Sequence, residues 1–135
     1  MDNAYSAELI VESSLEAGQS GMAFAIRLPW YRALPLSVVD VPWLALDGNV
    51  VPRTAVRFEV NGRSFTLDEL AQQTGEYWYV LDDARIRVSG VQVRAGGQHQ
   101  LELQVDLHPP YIPHFVWVTR ASKTLRAGDG KGGVQ

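Results

Sequence analysis

The dipeptide Asn61-Gly62 stands between two short runs of alternating apolar and polar residues, and that arrangement leaves the chain around it little choice of fold. Val56, Phe58 and Val60 alternate with Arg57 and Glu59 on one side, and Phe65 and Leu67 follow on the other. Asn-Gly supplies the two positive-φ positions of a type I′ turn, whose twist matches that of the strands it joins. The register set by such a turn places Phe58 opposite Phe65 and Val56 opposite Leu67, all on one buried face. A slip of one residue would turn that whole apolar set to water, so the hairpin is strongly specified.

The same period recurs elsewhere. Met22, Phe24, Ile26 and Leu28 alternate with Ala23, Ala25 and Arg27, and Leu101, Leu103, Val105 and Leu107 alternate with Glu102, Gln104 and Asp106. Further strands are expected over 8–13, 43–46, 78–81, 85–88 and 116–125. Asp47-Gly48-Asn49, Ser89-Gly90 and Gly96-Gly97 punctuate these runs as turns. Only 67–74 reads as helical, a single turn that Thr66 or Asp68 can cap. About eight or nine strands, roughly ten residues apart and without βαβ alternation, predict an all-β fold. The expected architecture is one antiparallel β-sandwich with one short helical turn. It should occupy residues 1–126, with the glycine-rich, polar stretch 127–135 as a flexible tail.

Composition removes several classes of function. The 135 residues include no cysteine, which excludes disulfides, a cysteine zinc site and a thiol nucleophile. A net charge of −3 with scattered arginines gives no footprint for nucleic acid. No apolar run approaches the roughly 20 residues that span a bilayer. The first residues lack a basic segment followed by an apolar one, so the chain is expected to be cytoplasmic. There is no G-x-S-x-G elbow, and the glycine-rich stretches lack the Lys-Ser/Thr of a phosphate loop. Asp82-Asp83 reads as a turn, since neighbours on a strand point to opposite faces. Of the histidines, His99, His108 and His114, only the last two can be drawn into a metal set, with Asp106. That set is weak, because Asp106 and His108 on a polar strand face are ordinary solvated residues. No catalytic residue, metal ligand or cofactor is expected on this chain.

Two proline-stiffened aromatic loops remain. The first runs Leu28-Pro29-Trp30-Tyr31-Arg32-Ala33-Leu34-Pro35, and the second Pro109-Pro110-Tyr111-Ile112-Pro113-His114-Phe115. Proline lowers the entropy lost when such a loop is ordered, and Trp, Tyr and Arg are the residues that dominate interface energetics. The expected partner-binding residues are Trp30, Tyr31, Arg32, Leu34 and Pro35, with Tyr111, Ile112, Pro113, His114 and Phe115. The competing reading is that Trp30 or Tyr31 lids one end of the core.

The run from Arg27 to Ser37 resembles the signature of the small β subunit of bacterial C-glycoside deglycosidases. Val50-Val51-Pro52-Arg53, the hairpin from Val56 to Leu70, Trp78, Tyr111-Ile112-Pro113 and Lys123-Thr124-Leu125 extend the resemblance over residues 8–126. Trp30, where the family pattern has Tyr, and the glycine-rich tail depart from it. The resemblance implies a β-sandwich that packs on a larger, isomerase-like TIM-barrel α subunit in αβ units. It implies cleavage of the C–C bond of a 3-keto C-glycoside with a flavonoid-type aglycone. The substrate, a divalent metal of Mn²⁺ or Mg²⁺ type and the general base would be held mainly by the α subunit. Two alternatives to an accessory subunit remain open, a stand-alone carbohydrate- or flavonoid-binding module and a metal hydrolase using Asp106, His108 and His114.

Overall fold

The computed structural model describes residues 3 and 5–129. The chain opens on one helical turn, α1 (Ser6–Leu9), followed by β1 (Glu16–Ala17), β2 (Gly21–Ile26), β3 (Leu34–Pro35) and β4 (Val39–Leu46). Next come β5 (Asn49–Val50), β6 (Val56–Val60), β7 (Arg63–Thr66), β8 (Tyr77–Trp78) and β9 (Ala84–Ser89). Two ten-residue strands, β10 (Gln98–Leu107) and β11 (Trp117–Arg126), precede the short β12 (Gly128–Asp129).

One sheet has the order β12-β1-β2-β9-β6-β7 and the other β11-β10-β4-β5, while β3 and β8 form a separate ladder. Apolar side chains of both larger sheets merge in one core, so the fold is the expected all-β sandwich. There are more strands than periodicity suggests, because β1, β3, β5, β8 and β12 are only two residues long. One pairing departs from the antiparallel rule: β12 lies parallel to β1.

The Asn-Gly hairpin forms as its turn dictates, with φ of 56° at Asn61 and 75° at Gly62 and with Phe58 facing Phe65. The ladder stops at Arg57 and Thr66. Leu67 leaves it to start a 3₁₀ turn over Asp68–Gln72. Thr66 and Glu69 form a reciprocal capping box there: the Thr66 N–H donates to Glu69 Oε1 at 2.8 Å, and the Glu69 N–H to Thr66 Oγ1 at 3.2 Å. Alternation is clearest on β10, where Leu101, Leu103, Val105 and Leu107 are fully buried.

Four expectations need correction. The segment 8–13 is not a strand. Ser6–Leu9 is helical, and only Ile10 bridges to β2, at Ile26. Lys123 selects this shape by donating its ammonium to the Ala7 and Ile10 carbonyls at 3.2 and 3.3 Å. The strand expected over 78–81 ends at Trp78. On β2 the supposed outward residue Ala23 is buried, since Glu16 and Arg87 stand opposite it on either side. Finally, the first residues of the stretch expected as a flexible tail are packed: Ala127 is buried and Gly128–Asp129 pair with β1, while the rest of that expectation, 130–135, lies outside the described residues.

At Gly21 the β9 backbone leaves no room for a side chain on β2. A Cβ placed there would stand 1.9 Å from the Val88 carbonyl oxygen, an atom that cannot move without breaking the ladder. Gly21→Ala is expected to destabilise the chain by about 2 kcal/mol, measured as a lower urea midpoint at unchanged slope.

Candidate functional site

The first aromatic loop is pinned at both ends. Before it, the Arg27 N–H donates to the Leu9 carbonyl at 2.9 Å. After it, Leu34 pairs with Trp78 and Pro35 with Tyr77. The Leu36 N–H then donates to the Glu76 carbonyl at 2.8 Å, and the Ser37 N–H to the Gln73 carbonyl at 3.2 Å. Pro29 and Pro109 are both buried at the roots of the two loops, and the His108 N–H donates to the Val38 carbonyl at 2.9 Å.

The structure brings the two loops together. The indole Nε1–H of Trp30 donates to the Tyr111 hydroxyl at 2.6 Å. Trp30 also packs its ring 5.0 Å from Tyr31, 6.4 Å from Phe115 and 5.5 Å from Trp117, the first residue of β11. Phe115 and Trp117 stack at 6.2 Å, and Tyr5 meets Trp117 edge-on at the same distance. Above this cluster the Arg32 guanidinium carbon lies 4.9 Å from the centre of the Tyr111 ring. The indole nitrogen of Trp117 is buried within it without a hydrogen-bond partner.

The electrostatics divide the two phenols. Hydrogen bonding to Tyr111, reinforced by partial burial, raises the Tyr31 phenol above the ordinary tyrosine value. Tyr111 shifts the other way. Partial burial pushes it up, but the donors Tyr31 and Trp30 and the positive charge of Arg32 together hold it below that value.

Of the expected partner residues, Trp30 and Leu34 lie in the core of the isolated chain, with only 8% and 1% of their surface exposed. Trp30 is the lid of the competing reading. Tyr31 is not, being 62% exposed, and Tyr111 is 44% exposed. Arg32, Pro113 and His114 are also exposed, while Pro35, Ile112 and Phe115 are half-buried. His114 adopts a left-handed φ of 59° and, with 108–110, 112–113 and 115–116, lines an open hollow of about 470 Å³. A larger open hollow of about 730 Å³ lies elsewhere, beside β1 and β2 between Glu16 and Arg87.

Sequence reasoning missed the turn after β8. Trp78 is fully buried with its ring 5.2 Å from Phe58, and its Nε1–H finds an acceptor only at the Asp82 carbonyl, 2.8 Å away. That bond and the Asp82 N–H to Tyr79 carbonyl bond at 3.0 Å fold residues 79–82 into a turn. Tyr79, Val80 and Leu81 are thereby left in water, Leu81 with 94% of its surface exposed. In the antiparallel β3–β8 ladder, residue 33 enters β3 at the end where residue 79 leaves β8. The first loop and this apolar turn therefore emerge side by side. The run Tyr77-Trp78-Tyr79-Val80-Leu81 was a usable signal, since a strand buried on both faces has no place beside Asp82-Asp83.

The metal set does not assemble: among the described residues no three His, Asp or Glu side chains converge. Asp106 instead accepts from Gln104 Nε2 at 2.8 Å. Nor is any described helix long and apolar enough to cross a membrane. One ionisable pair is tightly built. His99 Nδ1 lies 2.7 Å from Asp47 Oδ2, its Nε2 accepts from the Arg94 N–H at 3.3 Å, and Asp47 Oδ1 accepts from the Gln100 N–H at 2.8 Å. With both histidine nitrogens engaged, the pair ties loops together and is not a free base.

Comparison with known proteins adds a family to this geometry. Residues 4–111 match the family described as C-glycoside deglycosidase beta subunit. The chain belongs to this family. It is 41% identical over 105 residues to the 3'-dehydrocarminate deglycosidase beta subunit of a Microbacterium species, covering 78% of this chain and 79% of that one. Identity to the C-glycoside deglycosidase beta subunit of Microbacterium trichothecenolyticum is 35% over 104 residues, with 77% and 79% covered. A beta subunit of the same description from Arthrobacter globiformis is 34% identical over 107 residues, with 78% and 82% covered. The first loop and the turn at 79–82 lie within the family match, which ends at Tyr111. A chain of this family is one part of an enzyme assembly, in keeping with loops rather than a catalytic cleft as its most distinctive surface.

The Asp47–His99 pair gives a pH signature. Hydrogen bonding from His99 lowers the Asp47 pKa, burial opposes it, and the Gln100 N–H lowers it further. A carboxylate held below its unfolded value of about 4 stabilises the fold fully above that value, and the contribution is lost as the pH falls through the lower folded one. Asp47→Asn should therefore lower the melting temperature at pH 7, and the gap from the parent should narrow as melts are taken down to pH 3.

Proposed function

We propose that this chain is the accessory small subunit of a heteromeric C-glycoside deglycosidase. The observation that carries the reading is the exposed aromatic end: Tyr31, Arg32, the turn 79–81 and Tyr111 present apolar and cationic surface on a chain whose relatives are named as beta subunits. A water-exposed patch of this kind marks an interface. Tyr31 and Leu81 are its protein-facing anchors, and the buried Trp30 holds the surface rigid from beneath.

The substrate class in this reading is a 3-keto C-glycoside, in keeping with the 3'-dehydro substrate in the name of one relative. The ketone acidifies the proton on C2. Its removal, followed by expulsion of the aglycone carbon from C1, yields a 1,5-anhydro-hex-1-en-3-ulose, and the departing carbon takes up a proton to give the free aglycone. In this reading the general base and a divalent metal of Mn²⁺ or Mg²⁺ type fall to an isomerase-like TIM-barrel partner. This chain's share is to close the mouth of that site and exclude water, which strengthens every electrostatic interaction inside it.

Co-expression with the isomerase-like partner, followed by sizing and a cleavage assay on a 3-keto C-glycoside, tests the reading. A hetero-complex active only when both chains are present is expected. Tyr31→Ala and Leu81→Asp should each weaken association about 30-fold while leaving the melting temperature of the isolated chain unchanged. If the chain elutes alone and the partner is fully active without it, the subunit reading falls; binding of a C-glycoside by the isolated chain would then support a stand-alone module.

A further inference from the structure

We propose that Arg32 and Tyr111 form an anion-recognising edge that this chain contributes to the assembled active site, and that its ligand is an acidic oxygen, phenolate or carboxylate, on the aromatic aglycone. The proposal rests on the subunit reading above and assigns this chain a direct contact with substrate.

The arginine is the first reason. Arg53, Arg63, Arg85 and Arg87 each face a carboxylate, and Arg57, Arg120 and Arg126 each donate to a hydroxyl, amide or carbonyl oxygen, while Arg27 and Arg94 lie outside the two aromatic loops. Arg32 has no carboxylate partner among the described residues, and its guanidinium is held flat over the Tyr111 ring, 4.9 Å from its centre. A guanidinium fixed on an aromatic face, with part of its N–H edge on the Tyr31 hydroxyl, loses little further freedom on binding and keeps its remaining N–H groups available for a planar anion.

The phenol is the second. The Trp30 Nε1–H, 2.6 Å from the Tyr111 oxygen, and the Tyr31 hydroxyl both donate to it and occupy its lone pairs. Trp30 is itself buried, so the indole donor cannot swing away. The Tyr111 proton is therefore free to point away from the indole, toward an acceptor outside the chain. The downward shift of Tyr111 makes that proton a stronger donor. Two donors of one site, a fixed cation and a sharpened O–H, thus stand together at the rim of an aromatic shelf.

The shelf itself decides between an aromatic anion and a lone protein carboxylate. Tyr31 gives its outer edge to the partner subunit in the reading above, but Tyr111 leaves 44% of its surface in water beside these donors. A carboxylate side chain of the partner would satisfy Arg32 and leave that ring wet, whereas an aryl anion covers the ring and meets the donors at once. The reaction asks for the same thing. The ring carbon leaves with the electron pair of the broken C–C bond, and that charge is spread onto oxygens conjugated with it, where a fixed cation and donor stabilise it.

The test uses the assembled two-chain enzyme and two 3'-dehydro C-aryl glycosides, one with a free acidic phenol or carboxyl on the aryl ring and one with that group methylated. Arg32→Gln removes the charge, and Tyr111→Phe removes only the hydroxyl. Each is expected to raise KM for the acidic substrate about tenfold, roughly 1.4 kcal/mol, with less than about a twofold change for the methylated one. Quenching of tryptophan fluorescence by the free acidic aglycone should weaken in parallel, a readout independent of turnover. Equal losses on both substrates, or none on either, would overturn the proposal. If sizing shows that Arg32→Gln no longer assembles although the parent does, Arg32 is a partner contact and the aglycone role falls while the subunit reading stands. If the parent chain itself does not assemble, both fall.

Discussion

The side chain of Trp78 has to satisfy two demands that pull in different directions. Its ring is wholly buried against Phe58, the residue the Asn-Gly hairpin aims inward, yet its indole N–H needs an acceptor. A buried unmet donor costs about 1–3 kcal/mol, enough to reshape a loop. The chain meets the need by folding back on itself so that the Asp82 carbonyl reaches the indole. From that choice follow the brevity of β8, the turn that strands Leu81 in water, and the anchoring of Leu34 beside Trp78. The first aromatic loop is thus held by the same residue that closes the core.

The loop end shows a division of labour by depth. Trp30 forms a buried floor, Trp117 and Phe115 are half-buried beside it, and Tyr31, Arg32 and Tyr111 lie on top. The contact between layers is directional, an indole N–H to a phenol oxygen, so the upper residues are oriented as well as supported. A loop without such a floor would have to order these side chains at the moment of binding, at about 0.5–1.5 kcal/mol each.

The parts of the fold visible in the sequence are those where local chemistry and burial agree. The hairpin at Asn61-Gly62, the alternation of β10 and the capping by Thr66 are all of this kind. Where a distant residue decides, the sequence misleads. Lys123 draws residues 6–9 into a helical turn across more than a hundred positions, and the Trp78 indole cuts short an apolar run that reads as a strand. Gly128 and Asp129 look mobile by composition but find a partner in β1. At the site, texture alone singled out both loops, and their meeting is now visible. Texture could not separate Trp30 and Leu34, which face inward, from Tyr31, which faces out, because a loop has no period from which to read its sides.

The edges of the two sheets carry a consequence for assembly kinetics. β5 and β12 end their sheets with two residues each, β7 edges the larger sheet with Arg63 and Ser64 in solvent, and Asn3 donates to the Val118 carbonyl of β11 at 2.7 Å. Short, charged or capped edges discourage the addition of a foreign strand. Docking through side chains at the loop end, as proposed above, would require no ladder to open and no segment to refold. Complex formation by such a surface is limited by diffusion and orientation, on the order of 10⁵–10⁷ M⁻¹s⁻¹ for ordinary protein pairs, and not by a slow rearrangement of the chain. Differences in lifetime between assemblies of this family would then lie in how firmly a few side chains hold on, which sets dissociation alone.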